Sequence, residues 1–403
     1  MTAPDLAERI GWIQPSATLV MTQRARELRA QGVDVLSFGA GEPDFDTPTP
    51  VREHAKRALD DGATHYTAVA GIPELRSAIR DVSARRRGGQ VHELDEIVVS
   101  VGAKHSLFNL AMALYDPGDE VIVPAPHWVS YPDQVALLGA RPVIVPTAEE
   151  GGFKLTPAAL EAAVTPRTKA LILNTPCNPT GSAYTAEELR ALADVALRGR
   201  YWVLVDEIYG ELVYDGFEHR SLLEVAPALR DRLVIVDGVS KTFAMTGWRI
   251  GWTLSPAGLA RAMVKIQGQM TSNAAAVSQH AAMAALRGGS GEVDRMREAF
   301  AARRRLVVDG LNAIDGLSCR EPEGAFYAFV NVRGWLGRRA QERVLEDDVA
   351  LATWLLDEAR CATVPGTAFG APGYIRLSYA TDEASLAEGL RRIAAAGASL
   401  RGD

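Results

Sequence analysis

The sequence has few cysteines and none of the spacings in which cysteines usually act together. Its 403 residues include three, Cys177, Cys319 and Cys361, which lie far apart and form no Cys-x-x-Cys pair. A disulfide framework is therefore not expected, and the sequence favours a reducing compartment. The N-terminal segment also lacks the basic and apolar regions of a secretory signal. We therefore expect a cytoplasmic protein.

Long hydrophobic runs are absent as well, because no uninterrupted apolar stretch reaches the ~18 residues of a membrane span. The net charge is −7, with 43 basic and 50 acidic residues, which gives no indication of a nucleic-acid or membrane partner. Two arginine triplets, at 85–87 and 303–305, are too short to suggest a binding patch, and we expect both to be solvated.

The seven histidines form no metal-binding pattern. His92-Glu93 begins like a zinc-protease motif, but Glu96 stands where the second histidine would be. The chain also lacks the Gly-x4-Gly-Lys-Ser/Thr loop that binds nucleotide phosphates. The sequence therefore predicts a site without a metal ion.

The chain does contain a regular alternation of helices and short apolar runs between about residues 50 and 255. The runs are apolar on both faces, which is typical of parallel strands covered by helices; they lie at 97–101, 120–123, 170–173, 202–205 and 233–236. We expect an open α/β sheet. A helix near 17–31 should precede it, and a long helical stretch over about 256–286 should follow it.

Ligands bind beyond the carboxyl ends of the strands in such sheets, so the residues that follow each run are candidates for a site. They supply a helix start with free N–H groups, an amide, a carboxylate, a phenol, a lysine and an arginine: residues 102–104, Asn178, Asp206, Tyr209, Lys241 and Arg249. Taken singly, each has an ordinary explanation as a turn, a helix cap or a surface charge. Together they match the needs of pyridoxal phosphate, which requires a lysine for its imine, an acid for its ring nitrogen and donors for its phosphate.

Seven segments resemble the class I and II aminotransferases of the fold-type I pyridoxal-phosphate superfamily, and they are most similar to the bacterial aspartate aminotransferases. They follow the family's order: GEPDFDTP (41–48), HYTAVAGIPELR (65–76), NTPCNPTG (174–181), DEIY (206–209), SKTFAMTGWRIGW (240–252), GAFY (324–327) and RLSYA (376–380). The resemblance covers about residues 10–395. It implies an α/β fold with a large, mostly parallel sheet domain at 49–290 and a small α+β domain formed by both chain ends. The small domain would comprise residues 291–403 and part of an N-terminal arm at 1–48.

The resemblance further implies a pyridoxal-phosphate enzyme that forms a homodimer with shared active sites. Lys241 corresponds to the lysine that binds the cofactor and moves the substrate's proton, and Asp206 to the carboxylate beside the ring nitrogen. Tyr209 and Asn178 correspond to the pair at the phenolic oxygen, and Trp128 to the aromatic residue stacked on the ring. The positions carried over for the phosphate are Gly102, Ala103, Lys104, Ser240, Arg249 and, from the neighbouring subunit, Tyr66.

For the substrate, Arg376 corresponds to the arginine that binds the α-carboxylate, with Gly41, Trp128 and Asn178 beside it. The bacterial branch binds the distal carboxylate with a lysine at the position of Lys104, helped by residues that correspond to Ser16 and Thr18. This pattern favours a dicarboxylic donor, L-aspartate, and 2-oxoglutarate as the acceptor. Relatives that also accept prephenate often carry a lysine where this chain has Gln14, which argues against prephenate.

Other interpretations stay open at this point. An aminotransferase for aromatic or other neutral amino acids would share Lys241, Asp206 and Arg376, and so would a C–S lyase or a ring-forming synthase on the same fold. A non-catalytic regulatory module built on this fold is disfavoured, because such proteins usually carry a basic DNA-binding domain and are expected to have lost the lysine. His127 and Cys177 replace residues more usual in this branch, and we expect Cys177 to serve packing alone.

Overall fold

The computed structural model describes residues 6–13 and 17–401, with the backbone alone at 17–19 and at 290. The helices in these residues are α1 (Ala17–Ala30), α2 (Thr49–Asp60), α3 (Pro73–Arg86), α4 (Ala103–Leu114), α5 (Ser130–Ala136), α6 (Pro157–Ala163), α7 (Ala186–Arg198), α8 (Leu222–Val225), α9 (Ala257–Gly268), α10 (Ala276–Gly288), α11 (Ser290–Asn312), α12 (Asp348–Asp357) and α13 (Glu383–Ala398). The strands are β1 (Leu36–Ser37), β2 (Ile97–Ser100), β3 (Glu120–Ala125), β4 (Arg141–Pro146), β5 (Thr168–Asn174), β6 (Trp202–Asp206), β7 (Leu233–Gly238), β8 (Gly251–Leu254), β9 (Ser318–Cys319), β10 (Tyr327–Asn331), β11 (Arg339–Ala340), β12 (Arg343–Val344), β13 (Cys361–Ala362), β14 (Val364–Pro365) and β15 (Tyr374–Ser378).

The largest sheet has the strand order β2-β8-β7-β6-β5-β3-β4, which is seven strands within the described residues. From β7 to β4 all neighbouring strands are parallel, whereas β8 runs antiparallel to β7 on one side and to β2 on the other. The strand β2 therefore points the same way as the parallel strands, and β8 alone opposes them in this sheet. The predicted α/β fold with a large, mostly parallel sheet is confirmed.

Helices cover both faces of this sheet, which explains why the predicted strands are apolar throughout. Along β6, Val203 and Val205 belong to the hydrophobic cluster that includes residues of α2, α3, α7 and α10. Leu204 belongs instead to the cluster that includes α4, α5 and α9. Successive side chains of a strand point to opposite faces, so a strand buried on both sides needs apolar residues at every position.

Two glycines let β7 and β8 approach the start of α4. Gly238 of β7 pairs with Gly251 of β8. A Cβ atom on Gly251 would lie 2.3 Å from the backbone nitrogen of Ala103, and one on Gly238 would lie 2.9 Å from the carbonyl oxygen of Ile250. Because real Cβ atoms do not approach so closely, glycine at both positions keeps the N-terminus of α4 beside the carboxyl end of β7.

A second, antiparallel sheet has the order β14-β15-β10-β9 and shares a hydrophobic cluster with α11, α12 and α13. Large side chains such as Phe300, Trp335 and Leu355 fill this cluster. The strand β1, near the start of the chain, pairs with β13, near its end, so both ends of the chain contribute to this part. The domain limits given above stay a prediction.

The helical stretch predicted over 256–286 is divided by a turn that the sequence did not indicate, so the chain forms α9 and α10 there. Three successive backbone N–H groups, of Met270, Thr271 and Ser272, donate to the carbonyl oxygen of Gln267. Ser272 adopts the left-handed conformation with φ of 58°, which ends the helical path. The polar segment Thr271-Ser-Asn273 favours such a turn because its side chains compete for backbone hydrogen bonds.

The expectation that both arginine triplets are solvated is also wrong. Arg87, Arg303 and Arg304 are buried, at 3%, 9% and 2% exposure. Each is paired with a carboxylate distant in sequence, as in the contact of Arg303 with Asp44 at 2.7 Å, and buried guanidinium groups require such partners. A run of like charges along the sequence therefore did not reveal which arginines turn inwards. Among the described residues, no helix is long and apolar enough to cross a membrane.

Candidate active site

A cavity of about 400 Å³ lies at the carboxyl edge of the main sheet, between this sheet and the small antiparallel one. Loops that follow β2, β3, β5, β6 and β7 meet there, and β8 contributes the loop before it because it runs in the opposite direction. The predicted residues that line the cavity are Gly41, Ala103, Lys104, Trp128, Asn178, Asp206, Tyr209, Ser240, Lys241, Arg249 and Arg376. Its floor is buried, whereas Lys104 and Arg249 form part of an exposed rim.

Lys241 extends into this cavity from the loop after β7. Its Nζ atom donates a hydrogen bond to the carbonyl oxygen of Gly41. Burial, together with the positive charges of Arg376 and Arg249, lowers the pKa of Lys241 to about 8, while Glu42 and Asp206 act in the opposite direction. A larger share of this amine is therefore neutral near physiological pH than of an ordinary lysine, and a neutral amine can act as a nucleophile or a base.

Asp206, the last residue of β6, is a buried carboxylate on the cavity floor. Its Oδ2 atom accepts a hydrogen bond from the Tyr131 hydroxyl at 2.9 Å, and its Oδ1 atom accepts one from the backbone N–H of Ile208 at 3.1 Å. Burial raises the pKa of Asp206 to about 6 in spite of these two bonds. Among the described residues this carboxylate forms no salt bridge, so a cationic group of a ligand would find it unpaired.

Arg376 connects the small sheet to the cavity floor. Its Nη1 atom donates to Oδ1 of Asn178 at 2.8 Å, and its Nη2 atom donates to the carbonyl oxygen of Gly39 at 2.8 Å. The guanidinium lies over the Tyr327 ring, 4.5 Å from its centre. Its Nε atom is buried and has no hydrogen-bond partner among the described residues. A planar cation with a spare donor is suited to a carboxylate ligand.

Tyr209, three residues beyond the end of β6, presents its hydroxyl group to the same floor. The hydroxyl groups of Tyr209 and Tyr327 lie 2.9 Å apart and share a hydrogen bond. Burial raises the pKa of Tyr209, so its phenol stays protonated and can donate to a ligand oxygen. Asn178 accepts from Arg376 through its Oδ1 atom, which leaves the amide nitrogen as a second donor for such an oxygen.

A cradle for an anion forms where Arg249 meets the start of α4. Arg249 adopts the left-handed conformation with φ of 56°, which is uncommon for a residue with a side chain. A Cβ atom on Gly102, the residue before α4, would lie 2.6 Å from Nη2 of Arg249. The guanidinium therefore occupies space that only glycine leaves open, next to the N–H groups of the first turn of α4. Both features attract a phosphate group.

The rim of the cavity carries Lys104 and Trp128. The Nζ atom of Lys104 lies 5.2 Å from the centre of the half-buried Trp128 ring. Partial burial, with the nearby charge of Arg249, lowers the pKa of Lys104, whereas Asp133 raises it. The Trp128 ring packs edge-on against Tyr131 at 5.4 Å, which fixes the orientation of the indole beside Asp206.

Other predicted residues either line a different cavity or lie outside the described part of the chain. Tyr66 lines a different one and is 91% exposed. Ser16 and Gln14 lie outside the described residues, and the side chain of Thr18 is likewise not described. Cys177 is a buried free thiol with a pKa raised by burial to about 11, so it is not a nucleophile here.

Other residues that line the cavity were not predicted from the sequence, among them Tyr131, Tyr327 and Arg26. Tyr327 is the last residue of the quoted GAFY segment, and Tyr131 follows Trp128 by three positions. Both could have been found by asking which polar aromatics accompany the motifs. Arg26 lies on α1, outside every motif, and no sequence signal pointed to it.

Comparison with known proteins gives one family and close relatives. The family described as "Aminotransferase class I and II" matches residues 33–393. The aspartate aminotransferase of Rhizobium meliloti strain 1021 is 48% identical over 97% of this chain and 95% of the relative. The aspartate/prephenate aminotransferase of Cereibacter sphaeroides is 47% identical over 98% of this chain and 99% of the relative. The structure of a Thermus thermophilus aspartate aminotransferase with maleate superposes with a TM-score of 0.91, at 43% identity, over 98% of this chain and 100% of that one.

The raised pKa of Asp206 makes a prediction about stability. The pKa of about 6 in the folded protein exceeds the usual 3.8, so the folded state binds this proton more tightly than the unfolded chain does. The resulting contribution to the free energy of unfolding is fully present below about pH 4 and is lost as the pH rises through 6. Asp206→Asn should therefore stabilise the ligand-free protein by about 3 kcal/mol near pH 8. The gain should disappear towards pH 4. Urea unfolding of dialysed protein across this range measures it.

Asp194→Asn, an exposed change on α7, is the control and should show no such trend. A stability difference between Asp206→Asn and the parent that is independent of pH would contradict the argument.

Proposed function

The chain belongs to the class I and II aminotransferase family, and we propose that it transfers the amino group of L-aspartate to 2-oxoglutarate with pyridoxal phosphate as its cofactor. Family membership gives the reaction class, in which an amino acid becomes a 2-oxo acid and a second 2-oxo acid becomes an amino acid. The proposal rests mainly on one observation. Lys241 lines the same cavity as Asp206, a buried carboxylate that forms no salt bridge among the described residues. The three free cysteines support a cytoplasmic location.

The residues present fit pyridoxal phosphate. Asp206 would hold the ring nitrogen in its protonated form and so gain the positive partner that it lacks among the described residues. Arg249 and the start of α4, from Gly102 to Lys104, would hold the phosphate with Ser240 nearby. Tyr209 and Asn178 would donate to the phenolic oxygen, Trp128 would cover the ring, and Lys241 would bind the aldehyde carbon.

When bound, pyridoxal phosphate supplies a carbonyl carbon that carries the amino group and a ring that accepts electrons from the substrate. The chain's own residues do the rest. Arg376 would bind the substrate's α-carboxylate in exchange for its present acceptors, Asn178 and the carbonyl of Gly39. Gly41 would lie beside the bound α-carboxylate. A Cβ atom on Gly41 would be 3.2 Å from the Tyr327 hydroxyl, so little space is left there for a side chain. These contacts orient the Cα–H bond of the amino acid.

Lys241 would remove the proton from Cα once the amino acid has taken its place. A base works best when its pKa lies near the working pH, and burial brings Lys241 to about 8. Its hydrogen bond to Gly41 keeps the amine on the substrate side of the cavity. In the second half of the reaction 2-oxoglutarate enters and leaves as glutamate, and Lys241 returns a proton to the new Cα.

The preference for a dicarboxylic substrate rests on positive charge at the rim. Lys104 and Arg26 line the cavity in addition to Arg376 and Arg249, which have other tasks in the proposal. A distal carboxylate in a closed site needs such a partner, since an unpaired buried charge is costly. The relatives named above support aspartate, and the Thermus thermophilus protein was solved with maleate, a dicarboxylate. Ser16 and Thr18 remain part of this proposal, and prephenate is not included because of Gln14.

We also propose a homodimer with shared sites. Tyr66 exposes 91% of its surface, beside other exposed apolar side chains such as Leu59. In a dimer this tyrosine would reach the phosphate of the neighbouring subunit. Each site would then need residues of two chains, with Lys241 from one chain and Tyr66 from the other.

Replacing Lys241 with alanine tests the proposal as a whole. The purified parent should be yellow, with an absorption band that moves with pH, because a lysine-bound cofactor absorbs visible light. Lys241→Ala should lose this band and nearly all transamination of aspartate with 2-oxoglutarate. Full activity in the variant would reject the assignment.

Replacing Lys104 with alanine tests the substrate class. If Lys104 binds the distal carboxylate, kcat/KM for aspartate and glutamate should fall by roughly 10- to 100-fold, which corresponds to about 1.5–3 kcal/mol. The values for alanine and phenylalanine should change little. Arg26→Gln extends the test along α1, and Arg24→Gln on the same helix is its control because Arg24 does not line the cavity. An equal loss for acidic and neutral donors would exclude Lys104 as the selector.

Hybrid dimers test the shared site. Tyr66→Phe and Lys241→Ala should each be impaired alone, and mixing them should produce hybrids in which one site carries both changes and the other carries neither. Activity should then return in part, and mass spectrometry should detect the hybrids. Hybrids without any recovery would place both residues in the site of one subunit.

A further inference from the structure

A buried cluster of charges lies behind Asp206, on the side away from the cavity. It consists of Arg87, Glu207 and Asp237, and we refer to it as the Arg87 cluster. The Nη2 atom of Arg87 lies 2.7 Å from Oε2 of Glu207 and 3.0 Å from Oδ2 of Asp237. All three residues are less than 5% exposed. No step of the proposed reaction uses them, and none of them lines the candidate active site.

The cluster joins the two strand ends that carry the reacting groups. Glu207 directly follows Asp206 at the end of β6, and Asp237 lies in β7, four residues before Lys241. The backbone N–H of Glu207 donates to the carbonyl oxygen of Val236, so the two strands are already side by side. Arg87, just beyond the end of α3, contacts both side chains at once and clamps these ends together.

The net charge of the Arg87 cluster also bears on the ionisation of Asp206. One guanidinium faces two carboxylates, so the cluster has a net charge of −1 when all three groups are ionised. Asp237 contributes to raising the pKa of Asp206. Burial raises the pKa of Asp237 itself, and Arg87 opposes that effect and favours the ionised forms of both Glu207 and Asp237. Without Arg87 the negative charge behind Asp206 would double, and ionisation of Asp206 would become harder.

Other charged and titratable groups face these residues. Those around Asp206 are Tyr131 of α5, Tyr209, Lys241 and Cys177, and those around the cluster are Arg86, His92 and His219. Ser221 adds a hydrogen bond to Oε1 of Glu207 at 2.6 Å. None of these groups joins Glu207 to Asp237 in the way that Arg87 does.

We propose that Arg87 is a positioning residue for the reaction, because it clamps the ends of β6 and β7 and offsets the charge of Glu207 and Asp237 so that Asp206 can stay ionised beside a bound pyridinium. This inference rests on the proposed use of pyridoxal phosphate. The alternative is that the Arg87 cluster is purely structural, in which case it would stabilise the fold and leave the ionisation of Asp206 unaffected. The two alternatives differ in what happens when the charge of the cluster changes.

Three variants change this charge in steps. Asp237→Asn makes it 0, Arg87→Asn makes it −2, and the double variant Arg87→Asn/Asp237→Asn keeps it at −1 without the arginine. The readout is the affinity of the cofactor-free protein for pyridoxal phosphate as a function of pH, followed by tryptophan fluorescence. Its acidic limb contains the protonation of Asp206, and groups of the cofactor contribute equally in every variant. Arg85→Asn, an exposed change in the same triplet, is the matched control.

We expect the acidic limb to follow the charge of the cluster. Asp237→Asn should move it to lower pH by roughly one unit, and Arg87→Asn should move it to higher pH by a similar amount. The double variant and Arg85→Asn should stay within a few tenths of the parent. The acidic limb of kcat should shift in the same order.

The inference would be overturned if the acidic limbs of the folded variants coincide with that of the parent, even if the melting temperatures of the variants differ. An upward shift in the double variant equal to that of Arg87→Asn would overturn it as well. Should Arg87→Asn fail to fold, Asp237→Asn and the double variant still decide the question. A parent protein that binds no pyridoxal phosphate would instead refute the proposed function, so the two failures are distinguishable.

Discussion

The structure depends on keeping one carboxylate buried without a counter-ion from the part of the chain that is described. Asp206 ends a strand in the middle of the main sheet, where burial opposes its charge. Two hydrogen bonds reduce the free-energy cost of burying this charge. A cation that binds in the cavity would offset the rest of that cost. The same burial lowers the pKa of Lys241 and raises that of Tyr209. One buried floor therefore prepares a carboxylate, a base and a hydrogen-bond donor together.

Sheet topology brings these groups to one place. Parallel strands end at the same edge, so residues more than a hundred positions apart, such as Lys104 and Lys241, line one cavity. The reversed strand β8 adds Arg249 to this edge because its preceding loop lies there. Glycine at 238 and 251 allows backbone segments to approach within distances that any side chain would prevent, and glycine at 102 leaves room for the Arg249 guanidinium. The site is thus a product of strand direction and of close backbone packing.

Much of this arrangement could be read from the sequence, and the failures have physical reasons. Runs such as 202–205 are apolar at every position, and only a strand covered on both faces needs that pattern. The edge strand β4 was missed because it is partly exposed and contains Pro142 and Pro146, which are unfavourable in strands. Buried arginines were missed because their carboxylate partners lie far away in sequence, as Glu207 does from Arg87. Arg26 is exposed and was not anticipated because nothing in the neighbouring sequence distinguishes it from Arg24.

The contacts of Arg376 bear on how the site would treat amines that lack an α-carboxylate. Its guanidinium already has two uncharged acceptors, the side chain of Asn178 and the carbonyl of Gly39. In the proposed reaction a substrate carboxylate would replace them with a stronger, charged acceptor, and the spare Nε donor is a further group that it could engage. A primary amine without that carboxylate offers nothing in exchange, so the arginine keeps its present partners. On this proposal the site would distinguish amino acids from their decarboxylated amines through Arg376 alone, without the need for a group that repels the amines.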